Sequence, residues 1–153
     1  MAAEFSANAA QTISANSSAI FTETPVPCTK GLIYHRDGSG IFRLANKFLR
    51  QNIMQCWRRN SNYEVTFHAN ITVPEGGTLE EIQVGIAIDG EVDPSSIMAY
   101  TPAALGVLGN VGADIIVTVP FVCGCSTVSV RNLSSQAITM QNANLTIGSK
   151  GDQ

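Results

Sequence analysis

The chain has 153 residues, a length that gives one domain with a substantial core. Its net charge is −3, so no basic field attracts nucleic acid, and no apolar run approaches the roughly 20 residues of a membrane-spanning helix. Only 14 % of the residues are charged and 44 % are hydrophobic, which makes the chain a candidate for burying surface against copies of itself; a lone sandwich with an apolar surface is the alternative.

The N-terminal segment, residues 1–10, is small and polar and predicts an arm that a neighbouring molecule holds in place. It lacks the basic start and apolar core of a secretory signal, which favours folding in a cytoplasm. Residues 11–153 are predicted to form a single domain. Residues 11–24 predict a β segment. Residues 1–24 together are the predicted docking segment, with Phe5 and Ile13 as candidate contacts.

Residues 32–35 and 41–45 predict two short strands, joined by a turn whose Asp-Gly pair supplies positive φ. The alternating pattern of a β-strand ends after residue 45. Apolar residues between Phe48 and Trp57 recur at helical spacing, which predicts a short helix or a packed loop near residues 46–58. The basic side chains of this insert fall largely on the other side and are candidates for a docking patch: Arg50, Arg58 and Arg59.

Period-2 hydrophobic runs extend from residue 63 to residue 147, so a sheet can bury one face of each run. Residues 91–112 interrupt them and predict short strands with an irregular crossing. In the last run the apolar positions change from even (Met140) to odd (Ala143), which predicts a β-bulge near residues 141–144. The whole pattern predicts an all-β antiparallel sandwich or jelly roll with one short insert.

The sequence contains no catalytic motif, and its two histidines, His35 and His68, lie on different predicted strands. We therefore predict that the protein is not an enzyme and has no catalytic residue and no cofactor. His68 lies on the polar face of its strand, which favours a solvated or hydrogen-bonded imidazole.

Cys123 and Cys125 form a Cys-x-Cys pair, the arrangement in this sequence with potential for metal or redox chemistry. A structural zinc site needs four ligands, so Cys28, Cys56 or a histidine would have to lie nearby. The favoured interpretation is reduced thiols packed as small apolar groups. A disulfide formed after cell lysis and a soft-metal site are the alternatives.

Three stretches resemble C1q/TNF-like jelly-roll domains, over roughly residues 11–148. QTISANSSAIFTET with GLIYHRDGSGIFRL resembles their opening, YEVTFHANITVPEGGTLEEIQVGIAIDGE their central hairpin, and STVSVRNLSSQAITMQNANLTI their closing strands in bacterial and phage versions. Together they are also similar to small virion-associated proteins of phages and prophages. The resemblance implies a ten-strand-type jelly roll that trimerises through largely apolar strand faces. The basic insert has no counterpart in the plain fold.

The resemblance implies a non-enzymatic phage structural protein, a homotrimer that decorates the capsid and is assembled in the host cytoplasm. Its partners would be the major capsid protein or another virion component, with neither nucleic acid nor a membrane among them. The alternative is a carbohydrate- or receptor-binding module of a tail fibre, a baseplate or a spore surface, acting through loops. The candidate trimer contacts are Tyr100, Phe121, Val128 and Val130.

Overall fold

The computed structural model describes residues 2–48, 53–122 and 124–150, with the backbone alone for residues 53, 55 and 56. Most of these residues form β-strands, accompanied by one short α-helix and one 3₁₀ turn at Pro94–Ser96. In chain order the elements are β1 (Ala2–Ala7), β2 (Gln11–Ile13), β3 (Glu23–Val26), β4 (Ile33–His35), β5 (Phe42–Ala45), α1 (Ile53–Arg58), β6 (Ser61–Thr72), β7 (Ile82–Ile88), β8 (Glu91–Val92), β9 (Met98–Tyr100), β10 (Gly109–Val119), β11 (Cys125–Asn132) and β12 (Ile138–Ser149).

The strands form two antiparallel sheets. Sheet I has the order β10-β6-β12-β1-β3, and β2 also pairs with β12. Sheet II has the order β4-β5-β11-β7-β8, and β9 also pairs with β7. The inner faces of both sheets contribute to one apolar core. The predicted all-β antiparallel sandwich is confirmed.

Strand β6 shows how the sequence pattern becomes a buried face. Tyr63, Val65 and Phe67 point inward and are at most 1 % exposed. Thr66 and His68 point outward and are exposed. Because successive side chains alternate between the two faces of a strand, the period-2 run buries its apolar half and leaves its polar half outside. The predicted polar position of His68 is confirmed.

An aromatic cluster fills the core between β1 and β5. The Phe42 ring is stacked on His35, with 4.2 Å between centroids, and meets the edges of Phe5 and Phe21 at 4.7 and 5.2 Å. The His35 side chain has no exposed surface, and its Nε2 lies 3.0 Å from the carbonyl oxygen of Ser39. A carbonyl only accepts, so Nε2 carries the proton and donates. His35 thus packs as a core residue.

The predicted bulge in β12 is confirmed. The register between β12 and β6 shifts between Gln141 and Asn144, and Asn142 has a φ of 55°. The extra residue turns Ala143 to the same inner face as Met140, and both are fully buried. One strand can therefore keep its apolar side chains in the core although their parity changes.

The prediction of an N-terminal arm was wrong. Residues 2–7 form β1, which pairs with β12 from Ala2 opposite Gly148 to Ala7 opposite Ala143, and pairs with β3 on its other side. Phe5 is only 3 % exposed because it points into the core. This segment is therefore an internal strand of sheet I.

The other local predictions agree with the structure. β4 and β5 form the expected hairpin, and short strands with a 3₁₀ turn cross the region between residues 91 and 109. α1 confirms a short helix in the insert, whereas Arg50 lies outside the described residues. No described helix is long and apolar enough to cross a membrane.

Candidate interaction surfaces

The described residues bring no metal or catalytic cluster together. No group of three or more His, Cys, Asp and Glu side chains among them is arranged to hold a metal ion. Cys28 is half-buried against the core, whereas Cys125 is exposed, so the prediction of a packed thiol was wrong for Cys125. Cys123 and the Cys56 side chain lie outside the described residues.

The Cys28 thiol has an unusual electrostatic environment. Burial raises its pKa, but hydrogen bonds from the backbone N–H groups of residues 30–33 outweigh this effect, so the pKa lies below its ordinary value. At neutral pH the thiolate fraction of Cys28 is therefore larger than in an ordinary cysteine.

Tyr63 lies near Cys28, and burial raises the pKa of the Tyr63 hydroxyl to about 12. Its hydroxyl donates to the carbonyl oxygen of Ala45. The folded state holds this proton more tightly than the unfolded state does, so stability is fully present below the ordinary tyrosine pKa of about 10 and falls as pH rises from there through 12.

We expect an absorbance titration near 295 nm to show a tyrosine step near pH 12, which belongs to Tyr63. Replacing Tyr63 by phenylalanine should remove that step, whereas replacing Tyr34 should leave it in place. Urea unfolding of the native protein should become easier above pH 10. A titration of the folded protein without a step near pH 12 would contradict the assignment.

The outward face of sheet I is long and has few charges. We define the sheet I face as the outward side chains of β6, β10 and β12, which are mostly Asn and Thr. This polarity differs from the largely apolar strand faces that the resemblance implies. Ile116 on the edge strand β10 is the large apolar group of this face and is 57 % exposed. The carboxylate of Glu64 lies 3.3 Å from Lys150 Nζ.

Hydrogen bonds join three pairs of outward side chains across β6 and β10: Asn62 with Thr118 at 2.8 Å, Asn70 with Asn110 at 3.1 Å, and Thr66 with Asp114 at 3.3 Å.

The predicted trimer contacts do not lie on one surface. Val128 and Val130 are fully buried in the core of their own protomer, so no side-chain surface is left for a neighbour, and this part of the prediction was wrong. Tyr100 packs close to Gly109, at the start of β10. Phe121 follows the other end of that strand and is 54 % exposed. Tyr100 and Phe121 remain predictions, at opposite ends of the molecule.

A second surface lies where the segment that follows α1 meets the turn after β10. We define the α1 end as Met54, Trp57, Arg58, Phe121 and Val122. Its four apolar side chains are 53, 53, 54 and 44 % exposed in chain order, and Arg58 is also exposed. The α1 end thus places large apolar groups beside a cation.

Buried and surface amides hold the two loops of the α1 end together. The Asn46 side chain is fully buried and donates to the carbonyl oxygens of Arg59 at 2.8 Å and Pro120 at 3.2 Å. Asn60 Oδ1 accepts from the backbone N–H of Phe121 at 2.8 Å. The bonds to Pro120 and Phe121 join segments that are 74 and 61 residues apart in sequence, so the exposed groups sit on a cross-linked frame.

Basic groups surround this frame. The Arg59 guanidinium lies 4.8 Å from the centre of the Phe48 ring, and Lys47 Nζ lies 5.3 Å from it. A depression of about 450 Å³ is lined by Arg58, Arg59, Asn60, Asn62 and Thr118. Of the predicted docking residues, the structure therefore brings Arg58 and Arg59 together at this end.

The remaining docking predictions lie elsewhere. Phe5 and Ile13 are each 3 % exposed in the core, so they cannot dock and that prediction was wrong. The sequence pattern did not indicate that the apolar side chains of the α1 end form one surface. The sequence pattern predicts Phe121 as a trimer contact instead. The feature that distinguishes Val122 is its backbone φ of 71°, which the sequence does not reveal.

A third surface, the hairpin surface, lies on β4 and β5. Tyr34 is 67 % exposed and stands beside a depression of about 270 Å³. The lining side chains combine an aromatic ring with hydrogen-bond donors: Tyr34, Arg36, Ser39, Ile41 and Arg43.

No protein-family model and no curated protein matches the chain. Among solved structures, the globular domain of zebrafish complement 1qA is 10 % identical, with 99 % of this chain and 98 % of that one covered and a TM-score of 0.64. Eiger TNF from S. frugiperda is 9 % identical, with 100 % and 94 % covered and a TM-score of 0.67. PRD1 vertex protein P5 reaches a TM-score of 0.46 at 13 % identity and 98 % and 96 % coverage, too low to support an argument. At these identities the similarity concerns the fold alone: the chain has a C1q/TNF-like jelly-roll fold.

Proposed function

We propose that this chain is a non-enzymatic structural protein of a phage virion, which assembles as a homotrimer in the host cytoplasm and decorates the capsid surface. The observation that carries the proposal is the sheet I face, a long strand face with few charges on a C1q/TNF-like jelly roll. The phage assignment is supported by the sequence resemblance over residues 11–148.

The sheet I face has the properties of a self-association surface. Two pairs of its Asn and Thr side chains are already hydrogen-bonded to each other across β6 and β10, which reduces the unpaired polar surface that is dehydrated when a neighbour covers this part of the face. Ile116 projects from the edge strand as an apolar contact. A threefold ring needs a heterologous contact, in which the β10 edge of one protomer packs against the sheet I face of the next.

We expect the wild-type protein to have three times the protomer mass in light scattering across a concentration series. Replacing Ile116 by lysine should give monomers, because it removes an apolar contact and places a charge in each of three equivalent interfaces. The matched control is Ile41→Lys on the hairpin surface, since Ile41 is also 57 % exposed. This variant should remain trimeric.

Other outcomes of this measurement have definite meanings. A monomeric wild-type protein would end the proposed assembly. A trimer that survives Ile116→Lys, or that dissociates in Ile41→Lys instead, would show that the sheet I face is not the interface. Circular dichroism of both variants confirms that their folds are intact.

Decoration of the shell is tested by co-sedimentation. The probe is the capsid of the phage or prophage whose genome encodes the chain, prepared without this protein, with an unrelated shell as the control. The protein should sediment with its own shell in a saturable manner and remain in solution with the unrelated one. Failure to sediment with its own shell would refute decoration, even if the protein is a trimer.

The hairpin surface favours a second candidate function, recognition of a cell-surface glycan. An aromatic ring as exposed as Tyr34 can stack on a sugar, and Arg36 and Arg43 supply hydrogen-bond donors beside it. Whole-cell pull-downs separate the two functions. A glycan-binding module should bind cells rather than shells and lose that binding in Tyr34→Ala.

A further inference from the structure

We propose that the α1 end is a docking surface for an acidic polypeptide surface that carries apolar side chains. In the proposed virion protein this partner is a component of the shell, and that identification rests on the proposed function. The binding chemistry itself rests on the exposed groups, the rigid frame and the charge of the α1 end.

The composition of the α1 end is that of an interface core. Trp57 and Phe121 are 53 and 54 % exposed, so much of their apolar surface contacts water in the isolated protomer. Trp, Phe, Met and Arg are enriched at the centres of protein interfaces, and Trp and Arg are the commonest energetic hot spots. Burial of these rings by a partner removes that apolar surface from water.

The frame presents these groups in a fixed arrangement. Val122 has a φ of 71°, a conformation that is rare and strained for β-branched residues. The Val122 side chain is 44 % exposed, so core packing does not explain this conformation. The bonds from Asn46 and Asn60 hold the adjoining loops, which lowers the entropy lost when a partner binds.

The charges of the α1 end select an acidic partner. Arg58 and Arg59 line its depression, and the other described lining side chains are neutral, although the whole chain has a net charge of −3. The nearby Glu64 carboxylate is paired with Lys150. A local positive field on an acidic protein attracts acidic surfaces and repels basic ones.

A polypeptide fits this surface better than a nucleic acid does. Nucleic-acid binding depends on many cations along the phosphate backbone, and the chain has nine Lys and Arg against twelve Asp and Glu. The aliphatic groups of Met54 and Val122 need apolar contacts, which a phosphate backbone does not supply. An acidic protein surface supplies both kinds of contact.

Threefold assembly would multiply this contact. A cyclic trimer carries three α1 ends on the same side of the ring, because its symmetry axis relates them by rotation alone. Three weak contacts to neighbouring shell subunits then act together and raise the avidity by orders of magnitude.

The first test uses fluorescein-labelled peptides and fluorescence anisotropy. The probe peptide places Leu and Trp among Asp and Glu. One comparison peptide replaces its acids by Lys, and the other replaces its apolar residues by Ser. Only the probe peptide should bind the wild-type protein, and its binding should weaken as salt rises.

Substitutions assign the binding to the α1 end. Trp57→Ala and Phe121→Ala should each weaken probe binding about tenfold or more. Arg58→Glu should weaken it more at low salt than at high salt, since the lost attraction is electrostatic. The matched control is Tyr34→Ala, which removes a 67 % exposed ring from the hairpin surface and should leave binding unchanged. All four positions are exposed, and thermal unfolding checks that the variants fold.

The results separate this proposal from the proposed function. Four results would each overturn the acidic-polypeptide assignment. They are absent probe binding, equal binding of the Lys peptide, tighter binding of single-stranded DNA or anionic vesicles, and a loss of binding confined to Tyr34→Ala. If the probe binds through Trp57 and Phe121 but the protein ignores its shell, decoration fails and this proposal stands. If Trp57→Ala and Phe121→Ala sediment with the shell as wild type does and the probe does not bind, decoration stands and this proposal fails.

Discussion

Replacing Phe42 by alanine is expected to lower the free energy of unfolding by about 3–5 kcal/mol, because the change opens a cavity in a closed aromatic cluster. The Phe42 side chain is fully buried and contacts Phe5, Phe21 and His35. These partners come from three further segments of the chain, so they cannot all move to fill the space. The midpoint of thermal unfolding should fall by roughly 6–20 °C for a domain of this size.

Urea unfolding at one fixed protein concentration measures this change, since association between copies adds to apparent stability. Phe42→Leu should cost less than Phe42→Ala, because leucine fills part of the cavity. Phe121→Ala is the matched surface control and should change stability by less than about 1 kcal/mol. A Phe42→Ala variant as stable as Phe121→Ala would show that the cluster does not contribute as described.

The second large effect is expected at Asn132, whose side chain joins three segments inside the protein. It is 1 % exposed, and its amide nitrogen lies 3.0 Å from the carbonyl oxygen of Ile13 and 2.9 Å from that of Gln136. A longer contact of 3.3 Å reaches Ser14, and Asn132 Oδ1 accepts from the N–H of Ser134 at 2.9 Å. Asn132→Ala leaves these buried groups without their partner, at a cost of about 2–4 kcal/mol.

Hydrogen exchange gives this prediction a local measurement besides urea unfolding. The amide proton of Ser134 should exchange faster in Asn132→Ala, because its acceptor is gone. Gln83→Ala is the matched control, since its side-chain amide bonds only the exposed Glu81. It should change stability by no more than about 0.5 kcal/mol. Equal stabilities of the two variants would contradict the role given to Asn132.

Much of the fold could be predicted because burial of one strand face leaves a period-2 trace in the sequence. β6, with Tyr63, Val65 and Phe67 inward, is the clearest case. The parity change in β12 also predicted a bulge near residues 141–144, since a strand that keeps its face buried must add one residue when the parity changes. The structure has the positive φ of this bulge at Asn142.

The same reasoning failed where the apolar signal was weak or ambiguous. Ala3, Phe5 and Ala7 do alternate, but two of them are alanines, which bury little apolar surface and are common in loops. Val128 and Val130 show a second limit of prediction from alternation. Alternation indicates that one face of β11 is buried, but it does not indicate whether the core or another protomer covers that face.

The α1 end could be predicted only in part. The helical spacing and the basic residues marked the insert, and Arg58 and Arg59 do lie at that end. Phe121 and Val122 reach it only because β10 pairs with β6 along its full length. Such pairing depends on contacts between distant segments, so local patterns in the sequence do not reveal it.

The position of β12 in sheet I limits when the protein can fold. β12 lies between β6 and β1, so β1 and β3 have no link to β6 and β10 within that sheet until residues 138–149 are in place. A ribosome releases those residues long after it has released residues 2–7, and β1 must wait for them with its apolar side exposed. We therefore expect folding to be slow, as contacts between distant segments require. During synthesis, β1 depends on chaperones or on the dilution of nascent chains to avoid pairing with strands of other molecules.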